Sequence, residues 1–201
     1  MKTKRIYLLR HGETDFNKSG RVQGRGVDSS LNETGRRQAE QVFKKFKSKS
    51  FDAFYSSSLV RTKETLAHFG SASIPMAGFD EISWGDQEGV EPTPEARKLY
   101  AAAIGNWRNG RLDIGVGGGE SPIEVMTRQR SAMQEVLNNE GSNVLICMHG
   151  RAIRILLCWL LNYPLNYMDG FPHQNCSYYS LVHNGHSFSL DQFNETSHLD
   201  G

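Results

Sequence analysis

The chain has 201 residues, of which 38% are hydrophobic and 22% are charged, and it contains 20 glycines. This composition is typical of a folded globular protein and excludes a largely disordered chain. The formal net charge is +1, so no global field attracts a polyanion, and charge gives no support to a nucleic-acid or membrane partner. An anionic substrate would therefore need a local cluster of positive charge.

The cysteines and the N-terminus indicate a reducing compartment. The three cysteines are Cys147, Cys158 and Cys176, an odd number without a Cys-x-x-Cys pair. The apolar stretch at residues 6–9 is too short for the core of a signal peptide, and no stretch approaches the roughly 20 apolar residues of a membrane span. We therefore expect a cytoplasmic protein.

In the first third of the chain, two predicted strands are each followed by a predicted helix. Residues 4–9 and 52–57 are short apolar runs that predict buried strands. Residues 33–48 and 59–69 have helical periodicity. The apolar face of the first helix consists of Ala39, Val42, Phe43 and Phe46.

The middle of the chain is its least regular part. Residues 70–119 contain glycine-rich loops and one helix near residues 95–107. A clear helix start follows, because Ser121 and Glu124 have the spacing of a capping box and a proline lies between them in the first turn. That helix is expected to extend to about Asn138.

The last third of the chain predicts one strand, one helix and a hairpin. Residues 144–148 are strongly apolar and residues 152–161 have helical periodicity. Residues 177–183 and 187–193 flank an Asn-Gly pair, which is a strong hairpin signal. No repeat or linker divides the chain, so we predict a single domain over residues 1–201.

Alternating strands and helices predict an α/β fold, in which a mainly parallel sheet is covered by helices on both faces. The terminal hairpin must add at least one antiparallel strand. Ligands in such sheets bind at the carboxyl ends of the strands. Three polar segments follow predicted strands: Arg10-His11-Gly12, Ser56-Ser57 with Arg61 beyond it, and His149-Gly150-Arg151.

These segments contain the residue types that phosphoryl transfer needs. A neutral imidazole such as His11 can attack phosphorus when its other nitrogen is held as N–H. Arg10 can bind phosphate oxygens with two N–H groups. Arg61 lies in the first turns of a helix, where anions are already favoured, and His149 can donate to a phosphoryl oxygen. Taken singly, structural histidines and a surface arginine explain the same positions.

A phosphate ester also needs a proton for its leaving oxygen. Glu81 is the best candidate, because apolar neighbours on its C-terminal side are expected to desolvate it partly. On spacing alone, Asp80, Asp86 and Glu88 are almost as plausible.

Together, the segments resemble the histidine phosphatase superfamily, specifically its phosphoglycerate-mutase-like branch. The resemblance extends from Arg5 to about Ser177. It is carried, in chain order, by Arg10–Thr14, Asn17 with Gly20–Gly24, Leu31–Ala39, Ser56-Ser57 with Arg61-Thr62, Glu81-Ile82 with Gly85 and Glu88-Gly89, Gly118–Ser121, Met148–Gly150 and Asn175–Ser177. One such motif alone is a weak signal, but so many motifs in this order are strong evidence.

The resemblance implies a three-layer α/β/α domain with a mostly parallel, mixed sheet, and a role for each matching residue. His11 becomes phosphohistidine, while Arg10, Arg61 and His149 hold phosphoryl oxygens. Glu81 protonates the leaving group and then helps to activate water. Further contacts to phosphate or substrate are implied for Asn17, Gln23, Gly24, Glu120, Ser121 and Asn175, with a contact to the protein backbone as the alternative for Asn175. For Ser121, helix capping alone is a sufficient explanation.

The resemblance also implies a small phosphorylated metabolite as substrate, with no metal and no other cofactor, and leaves a homodimer open. About residues 80–120 are expected to form a substrate-facing cap or rim. Within the rim, contact with substrate is considered for Tyr100, Trp107, Arg108 and Arg111. For Tyr100 and Trp107, the buried stripe of one helix is the favoured explanation.

One departure from the family favours hydrolysis over mutase activity. In the glycolytic mutases of this family, an arginine and then a tyrosine follow the acidic glutamate, whereas Ile82 and Trp84 occupy that stretch here. Fewer anion ligands would allow phosphate to reach water. Phosphoglycerate mutase and sugar bisphosphatase remain alternatives, and a non-catalytic phosphate-binding module is a remote one.

A metallohydrolase is the alternative from another class. Its ligands would come from Cys147, His149, His173 and Cys176. No closely spaced ligand pair of the structural-zinc kind supports it.

Overall fold

The computed structural model describes residues 3–200, and a single six-stranded sheet runs through them. Its strands, β1 to β6, are Lys4–Arg10, Ala53–Ser56, Ile74–Pro75, Asn143–Met148, Tyr178–His183 and Phe188–Glu195. The spatial order is β3-β2-β4-β1-β5-β6. The first four strands in this order pair in parallel, and β5 and β6 are antiparallel to their neighbours. The expected mixed sheet with an antiparallel terminal hairpin is confirmed.

The α-helices in residues 3–200 are α1 to α6: Asp15–Ser19, Glu33–Phe46, Val60–Leu66, Pro94–Arg108, Pro122–Asn138 and Gly150–Leu160. Five of these six agree with the sequence periodicity, and the exception is the short α1. The helix predicted over residues 59–69 is α-helical only as far as Leu66, and a 3₁₀ turn then ends at Gly70, which has φ +68°. Among residues 3–200, no helix has the length and apolar character needed to cross a bilayer.

Two hydrophobic cores lie on opposite faces of the sheet, because successive side chains of a strand point to opposite sides. Ile6 and Leu8 of β1 belong to the core that includes residues of α4, α5 and α6. Tyr7 and Leu9 belong to the other core, with residues of α2 and α3. The three-layer α/β/α arrangement is therefore confirmed.

Local signals in the sequence explain two helix starts. Ser121 and Glu124 form the expected capping box at α5. Thr14 and Asn17 form a second capping box at α1, a short helix that the sequence analysis did not predict. The side chains of Thr14 and Ser121 are thereby held in place by backbone N–H groups three residues further along the chain.

The carboxyl ends of β1, β2 and β4 lie side by side. Arg10 is in register with Met148, and Ser56 is in register with Cys147. The next residues continue the pairing, since the His11 N–H donates to the Met148 carbonyl over 3.0 Å and the Ser57 N–H to the Cys147 carbonyl over 3.0 Å. The predicted convergence of the three polar segments is confirmed.

Candidate active site

A cavity of about 470 Å³ lies at this edge of the sheet. Such a volume is typical of a site for a small molecule. The part of the cavity wall nearest the sheet consists of Arg10, His11, Glu81, Gly150, Arg151, His173 and Asn175. Other parts of the wall are Asn17, Gly20, Arg21, Val22, Gln23, Trp84, Gln87, Val90, Pro92, Ala96, Arg97 and Tyr100.

His11 is a buried side chain that reaches the cavity wall with one ring nitrogen already engaged. Its Nδ1 is 2.7 Å from the carbonyl oxygen of Gly12. A carbonyl can only accept, so Nδ1 carries the proton and Nε2 keeps a free lone pair. Burial, then the charges of Arg61 and Arg10, hold the pKa of His11 well below its ordinary value. The ring is therefore neutral at pH 7, the form in which a histidine is a nucleophile.

The backbone around His11 is fixed by polar side chains from three other segments. Asn175 donates from Nδ2 to the His11 carbonyl over 3.0 Å and is also 3.0 Å from Oδ1 of Asn17. The Gly12 N–H donates to Oγ1 of Thr65 over 3.0 Å. Asn17 and Asn175 both line the cavity.

Arg10 lines the cavity with part of its guanidinium still unpaired. Its Nη1 donates to Nδ1 of His173 over 2.9 Å, while its buried Nε has no hydrogen-bond partner within residues 3–200. Burial lowers the pKa of Arg10 to about 10, and the charge of Glu81 acts in the opposite direction. The group is therefore still a cation at neutral pH, and it brings a positive charge to the cavity wall.

Arg61 and His149 lie behind the cavity wall, and neither side chain has a surface in it. The expected contacts of these two side chains with phosphoryl oxygens are therefore not found, because both are fully buried and bonded to groups of the protein. Arg61 Nε donates to Nδ1 of His149 over 3.2 Å, and its other nitrogens donate to the carbonyls of Val27 and Gly24. The His149 ring centroid is 5.1 Å from that of His11. Burial, followed by the charge of Arg61, holds the pKa of His149 well below its ordinary value.

Glu81 is held by the N-terminus of α6. Its Oε2 accepts from the Arg151 N–H over 3.0 Å, and its Oε1 accepts from the N–H groups of Ala152 over 2.9 Å and Ile82 over 3.0 Å. Three bonds place this carboxyl group at the cavity wall beside His11 and Arg10.

The structure separates Glu81 from the other three carboxylates that spacing left open. Asp80 accepts from the backbone and hydroxyl of Ser58, and Glu88 accepts from the Trp84 N–H. Neither these two nor Asp86 lines the cavity, whereas Glu81 does.

Gln23 lines the cavity, but Gly24 does not. The Gly24 carbonyl accepts from Nη2 of Arg61 over 3.2 Å. A Cβ at this position would lie 2.2 Å from Oε1 of Glu88 and 2.6 Å from the carbonyl oxygen of Ile82. The glycine is explained by this close packing against the 82–88 loop, which differs from the expected contact with substrate.

The expected substrate contacts of Glu120 and Ser121 are also not found. Glu120 accepts from Arg128 over 2.8 Å and from the Ser83 N–H over 2.8 Å, and these bonds hold two loops together. Ser121 is the buried N-cap of α5, where its hydroxyl is 2.9 Å from Glu124. Both side chains lie outside the cavity wall, so capping is the better explanation of Ser121.

The rim contributes residues that single-sequence reasoning missed or left open. Tyr100 lines the cavity and packs on Trp84 with ring centroids 4.9 Å apart, whereas Trp107 is buried in the core. The cavity wall also contains Arg21 and Arg97, to which the sequence analysis assigned no role. Polar residues on a helix or loop carry no sequence signal that tells a cavity wall from an open surface. Arg108 and Arg111 lie outside the wall.

Residues 3–200 contain no group of three or more His, Cys, Asp or Glu side chains arranged to hold a metal ion. Cys147 and Cys176, which the metallohydrolase alternative needs, are packed in the core with Tyr7 and Leu9.

Comparisons with known proteins agree with this geometry. A probable phosphoglycerate mutase GpmB from Salmonella choleraesuis (strain SC-B67) is 34% identical over 177 residues, which are 86% of this chain and 81% of that protein. A 2-carboxy-D-arabinitol-1-phosphatase from Triticum aestivum is 28% identical over 86% of this chain, and the match spans only 36% of that enzyme's length. The solved structure of a mycobacterial glucosyl-3-phosphoglycerate phosphatase complexed with VO3 has a TM-score of 0.84 at 27% identity, covering 96% of this chain and 100% of the other.

The sequence profile of the histidine phosphatase superfamily (branch 1) matches residues 6–196, nearly the whole chain. The predicted fold and family are confirmed, and the relatives named as phosphatases support the predicted hydrolase activity. His11 and Glu81 line one cavity, as this family's chemistry requires. The match over nearly the whole chain shows that the protein belongs to the histidine phosphatase superfamily (branch 1).

Proposed function

We propose that the protein hydrolyses a small phosphorylated metabolite through a phosphohistidine formed on His11. The observation that carries the proposal is the tautomer of His11. Its Nδ1–H is held by the Gly12 carbonyl, so Nε2 is the nitrogen with a lone pair at a wall that also contains Arg10 and Glu81. The nucleophile His11, the cation Arg10 and the proton source Glu81 therefore all line one cavity.

In the first step, His11 Nε2 attacks the phosphorus of the ester. The new N–P bond forms as the bond between phosphorus and the leaving oxygen breaks. Glu81, in its carboxylic acid form, gives its proton to that oxygen, and the alcohol leaves. The guanidinium of Arg10, which lines the cavity, supplies N–H donors for the phosphoryl oxygens. Arg61 and His149 lie behind the wall and support this part of the site without reaching the cavity.

In the second step, water replaces the histidine. Glu81 is now a carboxylate and takes a proton from the attacking water, whose oxygen bonds to phosphorus as the N–P bond breaks. Inorganic phosphate leaves, and Glu81 is again an acid. The three backbone N–H groups on Glu81 keep the carboxyl group in place through both steps.

We favour water over a second metabolite as the acceptor of the phosphoryl group. Ile82, which follows the acidic glutamate, is fully buried in the core and offers no anion ligand to the cavity. A mutase must keep its bisphosphate intermediate bound for the return transfer. The similarity to the probable mutase GpmB makes mutase activity the second candidate, and it would appear as isomerisation of a phosphoglycerate that its bisphosphate stimulates.

All three cysteines are buried and unpaired. Free thiols suit a reducing compartment, so we also propose that the protein works in the cytoplasm.

The decisive experiment compares wild type with His11→Ala on a panel of phosphorylated metabolites. We expect phosphate release by wild type, a loss on the order of 10²-fold or more in the variant, and alkali-stable, acid-labile ³²P label only in wild type. His186→Ala is the matched control, because His186 is exposed in the hairpin turn. Absence of both phosphate release and label from wild type would reject the proposal, as would full activity of His11→Ala.

A further inference from the structure

The cavity wall is rich in arginine. Arg10, Arg21, Arg97 and Arg151 all line it, against Glu81 as the carboxylate of the wall. The chain as a whole has a net charge of only +1. The positive charge is therefore concentrated where an anionic substrate would bind.

Two of these four arginines are neutralised by carboxylates. Arg21 pairs with Glu91, and Arg151 pairs with Asp169 over 2.7 Å. Arg10 and Arg97 have no carboxylate partner within residues 3–200. Arg10 precedes His11 in the chain and is assigned to binding of the phosphoryl group. Arg97 is then the cation of the wall that has no role yet.

Arg97 lies on the side of α4 that faces the cavity. Ala96, Arg97 and Tyr100 all line it. Tyr100 is four residues after Ala96 and three after Arg97, the spacings at which residues are neighbours on a helix surface. Lys98, the next residue, is also an exposed cation but is not part of the wall. An ordinary solvated helix face explains Lys98, whereas Arg97 borders the space that the substrate occupies.

Helix α4 adds to the positive potential at this part of the wall. It begins at Pro94 with Thr93 as its N-cap, so Arg97 lies near the positive end of the helix dipole. A cavity of about 470 Å³ has room for more than the phosphoryl group. An anion on the remainder of the substrate would find a planar guanidinium with donors for two oxygens.

We propose that Arg97 binds a second anionic group of the substrate, a carboxylate or a second phosphate, while Arg10 and His11 hold the phosphoryl group that is transferred. This inference rests on the proposed phosphatase function. It assigns the substrate to the class of phosphorylated acids or bisphosphates. Arg97 is then a specificity-determining residue that contributes equally to substrate and transition-state binding, so its loss raises KM and changes kcat little.

The test uses pairs of substrates that differ only in the second charge. 3-Phosphoglycerate and glycerol 3-phosphate differ by a carboxylate, and fructose 1,6-bisphosphate and fructose 1-phosphate differ by a phosphate. We expect wild type to favour the doubly charged member of at least one pair in kcat/KM by roughly two- to fivefold, the range typical of an exposed ion pair. The pair that shows the preference identifies the anion.

Three variants complete the experiment. Arg97→Ala is expected to abolish the preference through KM, and Arg97→Lys to retain part of it, because the charge remains and the planar fork is lost. Lys98→Ala, with the same loss of charge on the same helix turn, should keep the full preference. The inference is wrong if wild type shows no preference in either pair, or if Arg97→Ala keeps it. Failure of the proposed function is recognised separately, as wild type that hydrolyses no member of either pair.

Discussion

Arg61 donates from Nε to Nδ1 of His149 over 3.2 Å, and this bond decides which nitrogen of His149 carries the proton. An arginine nitrogen can only donate, so Nδ1 accepts and Nε2 is the N–H. That Nε2 is 2.8 Å from the hydroxyl of Ser57. His149 therefore donates from Nε2 to the Ser57 hydroxyl behind the cavity wall. His11, held in the opposite tautomer by the Gly12 carbonyl, is prepared to attack.

The first prediction concerns stability in acid. Burial and the charge of Arg61 hold the pKa of His149 below its ordinary 6.5. Below pH 6.5, His149 therefore binds a proton in the unfolded chain and stays neutral in the native state. The contribution to the free energy of unfolding is complete above pH 6.5 and falls as the pH drops. Between pH 7.5 and 5.5 one such histidine accounts for about 1.4 kcal/mol.

Urea unfolding of wild type and His149→Gln at the two pH values measures this contribution. The variant is expected to lose about 1.4 kcal/mol less than wild type on acidification. His186→Ala, at an exposed histidine, should lose as much as wild type. Equal losses in wild type and His149→Gln would contradict a neutral, buried His149.

The second prediction separates the two proton transfers of Glu81. In Glu81→Gln, the amide cannot supply the proton that a sugar or glycerol leaving group needs. p-Nitrophenolate leaves without one, so His11 should still be phosphorylated by p-nitrophenyl phosphate, while attack by water on the phosphohistidine is slowed. We expect a burst of one p-nitrophenolate per active site, followed by turnover that is on the order of 10²-fold slower than in wild type.

Rapid-mixing absorbance measures that burst, and Asp86→Asn is the control because Asp86 is on the same loop but outside the cavity wall. A uniform loss with p-nitrophenyl phosphate and alkyl phosphates, without a burst, would argue against Glu81 as the proton donor.

The third prediction distinguishes capping from binding at Ser121. Its hydroxyl accepts from the Glu124 N–H at the start of α5 and does not reach the cavity. Ser121→Ala should therefore lower the free energy of unfolding by about 1 kcal/mol, with KM and kcat unchanged. Thermal or urea unfolding beside steady-state kinetics tests both parts, and a raised KM at unchanged stability would restore Ser121 to the substrate site.

Most of the fold was predictable because local patterns express it. The apolar run of β1, the amphipathic face of α2, the capping box of α5 and the Asn-Gly hairpin each depend on neighbours within a few residues in the chain. Two features were missed: β3, which has only two residues, and α1, which has five. The five residues of α1 make less than two helical turns, and the two residues of β3 make a single alternation of side chains. Neither length is enough for a periodic pattern of apolar residues to be recognised in the sequence.

The roles at the site divide in a similar way. The order of the motifs along the chain was enough to select Arg10, His11 and Glu81, and all three line the cavity. It also included Gly24 and Glu120, whose positions in the structure are explained by packing and by an ion pair with Arg128. A motif contains residues that support a site as well as those that touch its ligand, and the sequence does not label them.

By itself, the sequence determined the alternation of strands and helices, the polar segments that end three strands, and the family to which they belong, because each of these is written in contiguous residues. Only the tertiary structure decided the tautomers of His11 and His149, the anchoring of Glu81 on α6, and the place of Arg97 on the cavity wall. Each of those depends on a hydrogen bond's direction or a cavity's shape, and both arise only when segments distant in the chain pack together.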